Sequence, residues 1–304
     1  MAKPTLTGRR TKLALRLAAG LAVAAALLAS LDLTALARTI RHVDLPIWGC
    51  AIVAAICANA ASAWRWARIS HAMATPVSWP QAWRIYAEAI TLSNVLPGAT
   101  LGGDAWRALQ LNRLGSPMRA AVISVLADRL AGLWVVAALS ALAWAFLGHS
   151  VPLELWIARL YGLILAGILV GLPVAAMIAA RMTARTDALK AWLDALLPSV
   201  PVQILSMLAF GLCLQAAAIK IDILTLAWSA GFVFISLAIP ISIAGWGLRE
   251  TAAVVILAGL GIAAENATIG AALYGLAATV QALLALPLFL KERGAVRDKH
   301  QNEI

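Results

Sequence analysis

The stretch that decides the fold is residues 91–107, TLSNVLPGATLGGDAWR. It is apolar enough to enter a bilayer, yet its uncharged run, Ala89–Gly103, has only 15 residues, and a helix needs roughly 20 to cross the hydrocarbon. Pro97 removes a helix hydrogen-bond donor, and Gly98 loosens the backbone beside it. Because broken backbone at membrane depth must be buried in protein or line a wet cavity, the stretch predicts a broken or re-entrant helix.

The composition of the whole chain supports that prediction. Of 304 residues, 62% are hydrophobic and 12% charged, with a mean hydropathy of +0.88, whereas soluble domains carry about 25% charged residues. No segment is long and polar enough for a soluble catalytic domain. The net charge of +10 comes from bases that flank apolar runs, so we expect contact with anionic lipid headgroups and no nucleic-acid partner.

Eight apolar segments besides the broken one predict the spans. The first has 19 residues, longer than the about 7–15 of a signal-peptide core, so we expect it to remain uncleaved. The fold class predicted is an all-α integral membrane protein with about eight transmembrane helices plus one or two broken or re-entrant helices. We expect one polytopic domain over residues 1–304, with two halves at about 1–185 and 200–290 as a further option. The segments are Leu13–Leu31, Ile47–Ala63, Leu130–Gly148, Ile157–Ala180, Val202–Ile219, Ile223–Leu248, Thr251–Ala264 and Ala267–Leu290.

The distribution of Lys and Arg predicts the orientation. With eight crossings and a cytoplasmic N-terminus, only Arg38, Arg41, Arg159 and Lys220 of the 24 basic residues fall on the far side. Both termini are then cytoplasmic, Thr251–Ala264 crosses the membrane, and both broken motifs open from the cytoplasmic side.

Tryptophan and cysteine residues fit the same scheme. Tryptophans at predicted span ends suit anchoring between lipid and water; they are Trp64, Trp66, Trp79, Trp83 and Trp156. The three cysteines lie in apolar runs without a metal-binding set, so we expect small core residues; they are Cys50, Cys57 and Cys213.

A second interruption follows at residues 239–250, IPISIAGWGLRE. Pro240 breaks the run, Gly245 and Gly247 loosen it, and Arg249 and Glu250 follow directly. Such a charged pair beside a broken helix is typical of ion and substrate sites in transporters. The alternative is a loop that turns the chain between two spans.

The first interruption ends in a pair of opposite charges. Asp104 and Arg107 are three residues apart, which places them on one face of a helix that starts after the glycines. One interpretation is a helix cap with a surface ion pair. The other is a lipid-headgroup site. In it Arg107 binds the phosphate, Gly103 and its neighbours let the backbone approach the headgroup, and Asn94 donates a hydrogen bond from the segment before Pro97.

The next charged pair, Asp128 and Arg129, also has two interpretations. If its helix begins at Leu130, the pair sits at the interface and needs little explanation. If the helix begins near Ala120, the pair is about 13 Å deep, and buried charges in membranes are candidates for function.

Enzyme signatures do not occur in the sequence. The four histidines match no metal spacing, and neither a nucleophile elbow nor a Walker loop is present. We therefore expect no catalytic residue, no metal and no cofactor, and a protein that is not an enzyme.

Several motifs, in order, resemble the lysylphosphatidylglycerol synthase transmembrane-region family. They are Ser93-Asn-Val-Leu-Pro-Gly98, Gly103-Asp104-x-x-Arg107, Leu114-Gly115, Ser124-Val125, Asp128-Arg129-Leu130 and the 239–250 motif. The resemblance spans about residues 85–290 and implies an inner-membrane protein that moves or handles lipids. Carried over by position, the signature charges of the family fall on Asp104, Arg107, Arg129, Arg249 and Glu250.

Two departures from the family pattern affect what the resemblance implies. Asp128 stands where the family usually has Glu, and Ala244 and Trp246 occupy a loop that is usually richer in glycine. The aminoacyl-transferring domain of fused members is missing from these residues, so we do not expect lysyl-lipid synthesis by this chain.

The leading hypothesis is a lipid translocase, flippase-like, in the bacterial inner membrane, handling an amphiphile with a polar, anionic headgroup. The alternative is a non-transporting membrane scaffold that holds a glycosyltransferase or lipid-modifying enzyme. The expected partners are membrane lipids and, in the alternative, such an enzyme. The candidate substrate-binding residues are Asn94, Pro97, Gly98, Gly103, Asp104, Arg107, Asp128, Arg129, Pro240, Gly245, Gly247, Arg249 and Glu250.

Overall fold

The computed structural model describes residues 43–95, 100–147, 155–183, 187–236 and 248–301, which form nine α-helices and no strand. The helices are α1 (Leu45–Ala72), α2 (Trp79–Val95), α3 (Thr100–Arg113), α4 (Met118–Leu147), α5 (Leu155–Thr183), α6 (Asp187–Ala216), α7 (Ile223–Ser236), α8 (Leu248–Ala258) and α9 (Ala264–Gln301).

The helices run between two ends of one bundle. The backbone N–H of Asp44 donates to Ala216 O at 3.1 Å, and Trp48 Nε1 donates to Leu273 O at 3.0 Å. α1 therefore begins where α6 ends, near the start of α9, and we call this the Asp44 end. At the opposite end α3 leads into α4 through Gly115, whose φ of 96° suits a residue without Cβ; we call it the Gly115 end.

Five of these helices are long and apolar enough to cross a membrane: α1, α4, α5, α6 and α9. Taken in chain order they alternate in direction between the two ends, as consecutive spans of a multi-pass membrane protein do. The all-helical class is thus confirmed, but the described residues hold five such helices and not eight. The predicted first span, Leu13–Leu31, lies outside the described residues.

The first interruption corresponds to a helical hairpin. α2 has 17 residues and α3 has 14, so each is shorter than a crossing requires. The two helices are antiparallel, since Gly103 faces Ala89 and Ser93, while Trp106, one turn later, donates to Glu88. The hairpin therefore starts and ends at the Gly115 end. Pro97 and Gly98 lie outside the described residues.

The second interruption separates another pair of short helices. α7 has 14 residues and begins at the Asp44 end, and α8 has 11 residues and ends there, before the turn at Gly261 that leads into α9. The helical part of Thr251–Ala264 ends at Ala258, and the 11 residues of α8 are shorter than a crossing requires. Residues 237–247 of the second motif lie outside the described residues, so the side from which that motif opens stays a prediction. Apolar length alone cannot distinguish one interrupted crossing from two short helices. In their described parts α7 and α8 form a second hairpin at the Asp44 end, opposite to the hairpin of α2 and α3.

Packing of the bundle corrects two predictions about side-chain position. Trp66 is fully buried and not an interfacial anchor, because α1 continues to Ala72 and carries Trp66 into the bundle. Cys50 and Cys57 lie on the exposed face of α1, and only Cys213 is in the core. An apolar span has an outer face as well as an inner one, and composition does not tell them apart.

Candidate functional site

Asp128 is the centre of a group of buried charges on α1, α3 and α4. Its side chain is 1% exposed and accepts from Arg65 Nε at 2.8 Å and from Arg107 Nη1 at 2.7 Å. Because α4 begins at Met118, Asp128 lies about 15 Å along the helix. Of the two interpretations of this pair, the helix that begins well before it is the one found, and the helix that begins at Leu130 is wrong.

Arg107 is enclosed on all sides by its partners. Its Nη2 donates to Asp104 Oδ1 at 2.8 Å, and its guanidinium carbon lies 4.7 Å from the ring centroid of Tyr86 and 5.2 Å from that of Trp66. Such rings attract a cation through their negative faces. Arg107 is 3% exposed, so the interpretation as a surface ion pair is wrong.

The start of α3 also differs from expectation. The helix begins at Thr100, before the glycines, so Asp104 is its fifth residue and lies beyond the first turn. Gly103 permits close helix packing, because a Cβ there would lie 2.8 Å from Ala89 O. The glycine therefore brings α3 against α2, which places the Asp104 side of α3 toward α4.

Arg65 is a member of this group that sequence reasoning missed. It donates through Nη1 to Ser199 Oγ at 2.9 Å, in addition to its bond with Asp128. Gly132 leaves it space, since a Cβ there would lie 3.3 Å from Arg65 Nη1. The count of basic residues places Arg65 in the cytoplasmic segment that follows the predicted span Ile47–Ala63. The signal that could have found it is the apolar residue pattern that continues beyond it to Ile69.

The group is closed at one side and open at the other. The side chains of Arg65, Arg107 and Asp128 are at most 5% exposed, whereas Asp104 is 17% and Arg129 35% exposed. Arg129 forms an ion pair with Asp104 through its Nε. We call these five residues the charge network. Three guanidinium groups and two carboxylates leave it with one surplus positive charge.

A second buried carboxylate, also missed, holds the first hairpin together. Glu88 on α2 is fully buried. Its Oε2 accepts from Trp106 Nε1 at 2.9 Å and from Gln110 Nε2 at 3.3 Å, and its Oε1 lies 3.3 Å from Arg84 Nε. Two of these partners are on α3, so the carboxylate ties the two limbs of the hairpin to each other.

The remaining candidate residues divide into three groups. Asn94 donates to Ile90 O at 2.9 Å, within α2, rather than toward Asp104 or Arg107. Arg249 and Glu250 lie in the first turn of α8, where the structure describes only their backbone. Pro97, Gly98, Pro240, Gly245 and Gly247 lie outside the described residues.

The chemistry of the charge network is ion pairing. A guanidinium fork matches the two oxygens of a carboxylate or phosphate. Of the three guanidinium groups in the network, that of Arg129 is the partly exposed one. Within the residues that the structure describes, no group of three or more His, Cys, Asp or Glu side chains is placed to hold a metal ion.

Comparison with known proteins gives a match to one family. The profile described as the lysylphosphatidylglycerol synthase TM region matches residues 14–285, which is most of the chain and includes all thirteen candidate residues. No curated protein and no solved structure matches the chain.

Proposed function

The chain belongs to the lysylphosphatidylglycerol synthase transmembrane-region family, and on that premise we propose that it is a lipid translocase rather than an enzyme. Its substrate is an amphiphile with an anionic headgroup. The observation that carries the proposal is the charge network, which is buried between α1, α3 and α4 and is open at Asp104 and Arg129.

Burying these five charged groups costs free energy. Taking an ion out of water costs several kcal/mol, and a buried ion pair is often no more stabilising than apolar residues of the same volume. Ionisable groups inside membrane proteins are rare and mark the paths of substrates and ions. Five such groups in contact are therefore better explained by function than by stability, and the surplus positive charge favours an anion.

An anionic headgroup has a route into the network that leaves no charge unpaired. Asp104 accepts from Arg107 through Oδ1 and pairs with Arg129 through its other oxygen. A phosphate that takes Arg129 away from Asp104 leaves that carboxylate paired with Arg107. Arg65 and Arg107 remain locked on Asp128 meanwhile, so they orient the site and Arg129 contacts the headgroup.

The two hairpins provide the setting for movement between leaflets. α2 and α3 enter from the Gly115 end, and α7 and α8 from the Asp44 end, each by about 16–26 Å at 1.5 Å per residue. Broken helices that meet near the middle of a bundle surround the central site in many transporters. In this proposal the headgroup passes beside the helix ends that flank the two interruptions, and its acyl chains stay in lipid.

The orientation proposed places the Gly115 end in the cytoplasm of a bacterium, with the protein in the inner membrane. Among the residues that the structure describes outside the charge network, basic side chains cluster toward that end and fewer lie at the far end, which is the usual bias of cytoplasmic segments. The residues concerned are Arg68, Arg84, Arg113, Arg119 and Lys190 at the Gly115 end, and Arg159 and Lys220 at the Asp44 end.

The test is transbilayer exchange in reconstituted vesicles. Headgroup-labelled phosphatidylglycerol and phosphatidylcholine are compared for wild type, Arg129→Gln and the matched control Arg119→Gln, an exposed arginine ten residues earlier on α4. We expect the wild-type protein to speed exchange of the anionic lipid. Arg129→Gln should slow that exchange about tenfold, because a hydrogen bond to a charged group contributes about 1.5–3 kcal/mol. Arg119→Gln should leave the exchange rate unchanged.

Two outcomes would count against the translocase. One is exchange in wild-type vesicles no faster than in protein-free vesicles. The other is equal exchange in the Arg129→Gln and Arg119→Gln vesicles. Absence of exchange, together with a stoichiometric enzyme partner in a pull-down, would favour the membrane scaffold instead.

A further inference from the structure

We propose that a groove at the Asp44 end, between α6, α7 and their connection, binds one anionic phospholipid, with the phosphate on Lys220 and an acyl chain along the groove. The site is distinct from the charge network. It concerns binding and not transport, and shares with the proposed function only the class of lipid.

The groove has the volume of a small-ligand site. Its volume is about 350 Å³, within the range of about 300–1,000 Å³ that small-molecule sites occupy. The α6 wall is formed by Leu208, Gly211, Leu212 and Gln215, spaced at i, i+3, i+4 and i+7 on one helix face. Leu226 forms part of the α7 wall.

The groove changes from apolar to polar along its length, as a phospholipid does from its acyl chain to its headgroup. Leu208 and Leu212 lie farthest from the Asp44 end, Gln215 is near the end of α6, and Lys220 follows in the connection. From Leu208 to Gln215 the apolar wall runs about 10 Å. A phosphate at Lys220 therefore has apolar surface below it on which the first part of an acyl chain can lie.

Lys220 carries a charge that the described residues do not neutralise. It is exposed and has no ion-pair partner among them. The nearest acid in sequence, Asp222, caps α7 instead: its carboxylate accepts from the backbone N–H of Leu224 and of Thr225, both at 3.0 Å, and from Thr225 Oγ1 at 2.6 Å. Helix N-terminal donors thus hold that negative charge, and Lys220 is left to an external anion.

The connection is built to keep Lys220 at the mouth of the groove. α6 ends in a left-handed residue, Ala218, with φ of 60°, and Ile219 N–H donates back to Leu214 O at 2.9 Å. Ile219 is buried, so the chain is anchored immediately before Lys220. Ser199, which contacts the charge network, lies 17 residues before Ala216 on α6, about 26 Å away. The two anion sites therefore face opposite leaflets.

Photolabelling tests this site on the full-length protein in phosphatidylcholine vesicles. The probes are phosphatidylglycerol and phosphatidylcholine, each with a diazirine in one acyl chain, and cross-links are mapped by mass spectrometry. We expect the anionic probe to label residues 208–226 about fivefold more than the zwitterionic one, the factor given by one lysine near an anionic headgroup. Lys220→Gln abolishes that preference and Lys220→Arg retains it.

Two further variants keep the result specific. Lys190→Gln makes the same change on the exposed surface at the other end of α6, and we expect it to leave the preference intact. Leu208→Trp fills the groove and lowers labelling by both probes. Equal labelling of wild type by both probes, or a preference that survives Lys220→Gln, would overturn the proposal in favour of ordinary lipid contact. Neither readout requires transport, so the translocase can fail while this site stands.

Discussion

Two polar clusters fasten α4 to its neighbours, and they do so in different ways. Near the Asp44 end, Ser140 Oγ shares a hydrogen bond with Tyr161 OH on α5 and donates to Trp228 O on α7 at 3.1 Å. We call these three residues the hydroxyl cluster. All are buried, and aromatic rings enclose Tyr161. Toward the Gly115 end, Asp128 and Arg129 belong to the charge network.

This contrast indicates a different role for each cluster. Neutral hydroxyls are enough to hold α4 against α5 and α7, at little cost in desolvation. The charge network joins α4 to α1 and α3 at a far greater cost, and unlike the hydroxyl cluster it reaches the surface, at Arg129 and Asp104. We infer that the hydroxyl cluster serves packing and that the charge network serves substrate.

The largest effect on stability is expected from Asp128→Ala. It leaves Arg65 and Arg107 buried without their shared partner, which costs about 3–5 kcal/mol of the free energy of unfolding. Denaturant unfolding in detergent measures this. The control is Asp194→Ala on the exposed face of α6, which we expect to stay within about 0.5 kcal/mol of wild type. If Asp128→Ala lowered the free energy of unfolding as little as Asp194→Ala does, the charge network would not differ from the hydroxyl cluster in the cost of its burial.

A smaller effect is expected from Gly103→Ala in the first hairpin. The new Cβ would lie 2.8 Å from Ala89 O, so α2 and α3 must separate, at a cost of about 1–3 kcal/mol, and Asp104 must move with them. Gly49→Ala on α1 is the control, since nothing lies within 4 Å of its Cβ position and alanine is the better helix former. Equal thermal midpoints for the two variants would show that close packing of the hairpin does not matter.

Tyr161→Phe tests the hydroxyl cluster itself. Ser140 keeps its bond to Trp228 O, so removal of one hydroxyl costs about 0.6–1.7 kcal/mol, as interhelical hydrogen bonds in membranes do. We expect lipid exchange to stay at the wild-type rate in the vesicle assay. A stable Tyr161→Phe protein without exchange would mean that the distinction between packing and substrate is wrong.

The smallest effect is expected at a solvated carboxylate. Hydrogen bonds from the Thr225 hydroxyl and backbone lower the pKa of Asp222, so its stabilisation is present above the unfolded value of about 3.9 and is lost as the pH falls through the folded pKa. Asp222→Asn keeps the cap and removes the charge, so we expect a few tenths of a kcal/mol at pH 7. Thermal midpoints of variant and wild type should converge below about pH 4; a constant difference would contradict this.

The sequence predicted the interruption of the first helix, because proline and glycine stand out in an apolar run. It also singled out Asp104, Arg107, Asp128 and Arg129 by their charge, and the structure brings these four into one group of ion pairs; that they bind substrate stays a prediction. It left open whether Asp128 was buried, since an apolar helix that starts at Met118 and one that starts at Leu130 share most of their residues. The two possibilities are distinguished only by the ion pairs of Asp128 with Arg65 and Arg107.

Arg65 and the second hairpin could not be predicted for a different reason. A charge count treats every arginine as lying outside the bilayer, so it placed Arg65 after a span that in fact continues to Ala72. The same count converted Thr251–Ala264 into a crossing to keep the C-terminus on the basic side. Two short helices, of which α7 begins and α8 ends at the Asp44 end, satisfy the same rule. Their packing depends on tertiary contacts with α9 that no local pattern contains.

Whether these charges serve the substrate is tested by replacing the closed part of the charge network with apolar residues: Arg65→Met, Arg107→Leu and Asp128→Leu together. Replacement of buried ion pairs in this way is often neutral or stabilising by about 1–4 kcal/mol. The measurement is transbilayer exchange of phosphatidylglycerol by the triple variant, once denaturant unfolding shows wild-type stability. We predict exchange at the rate of protein-free vesicles, against fast exchange by wild type. Wild-type exchange by the stable apolar variant would contradict the claim that these charges serve the substrate.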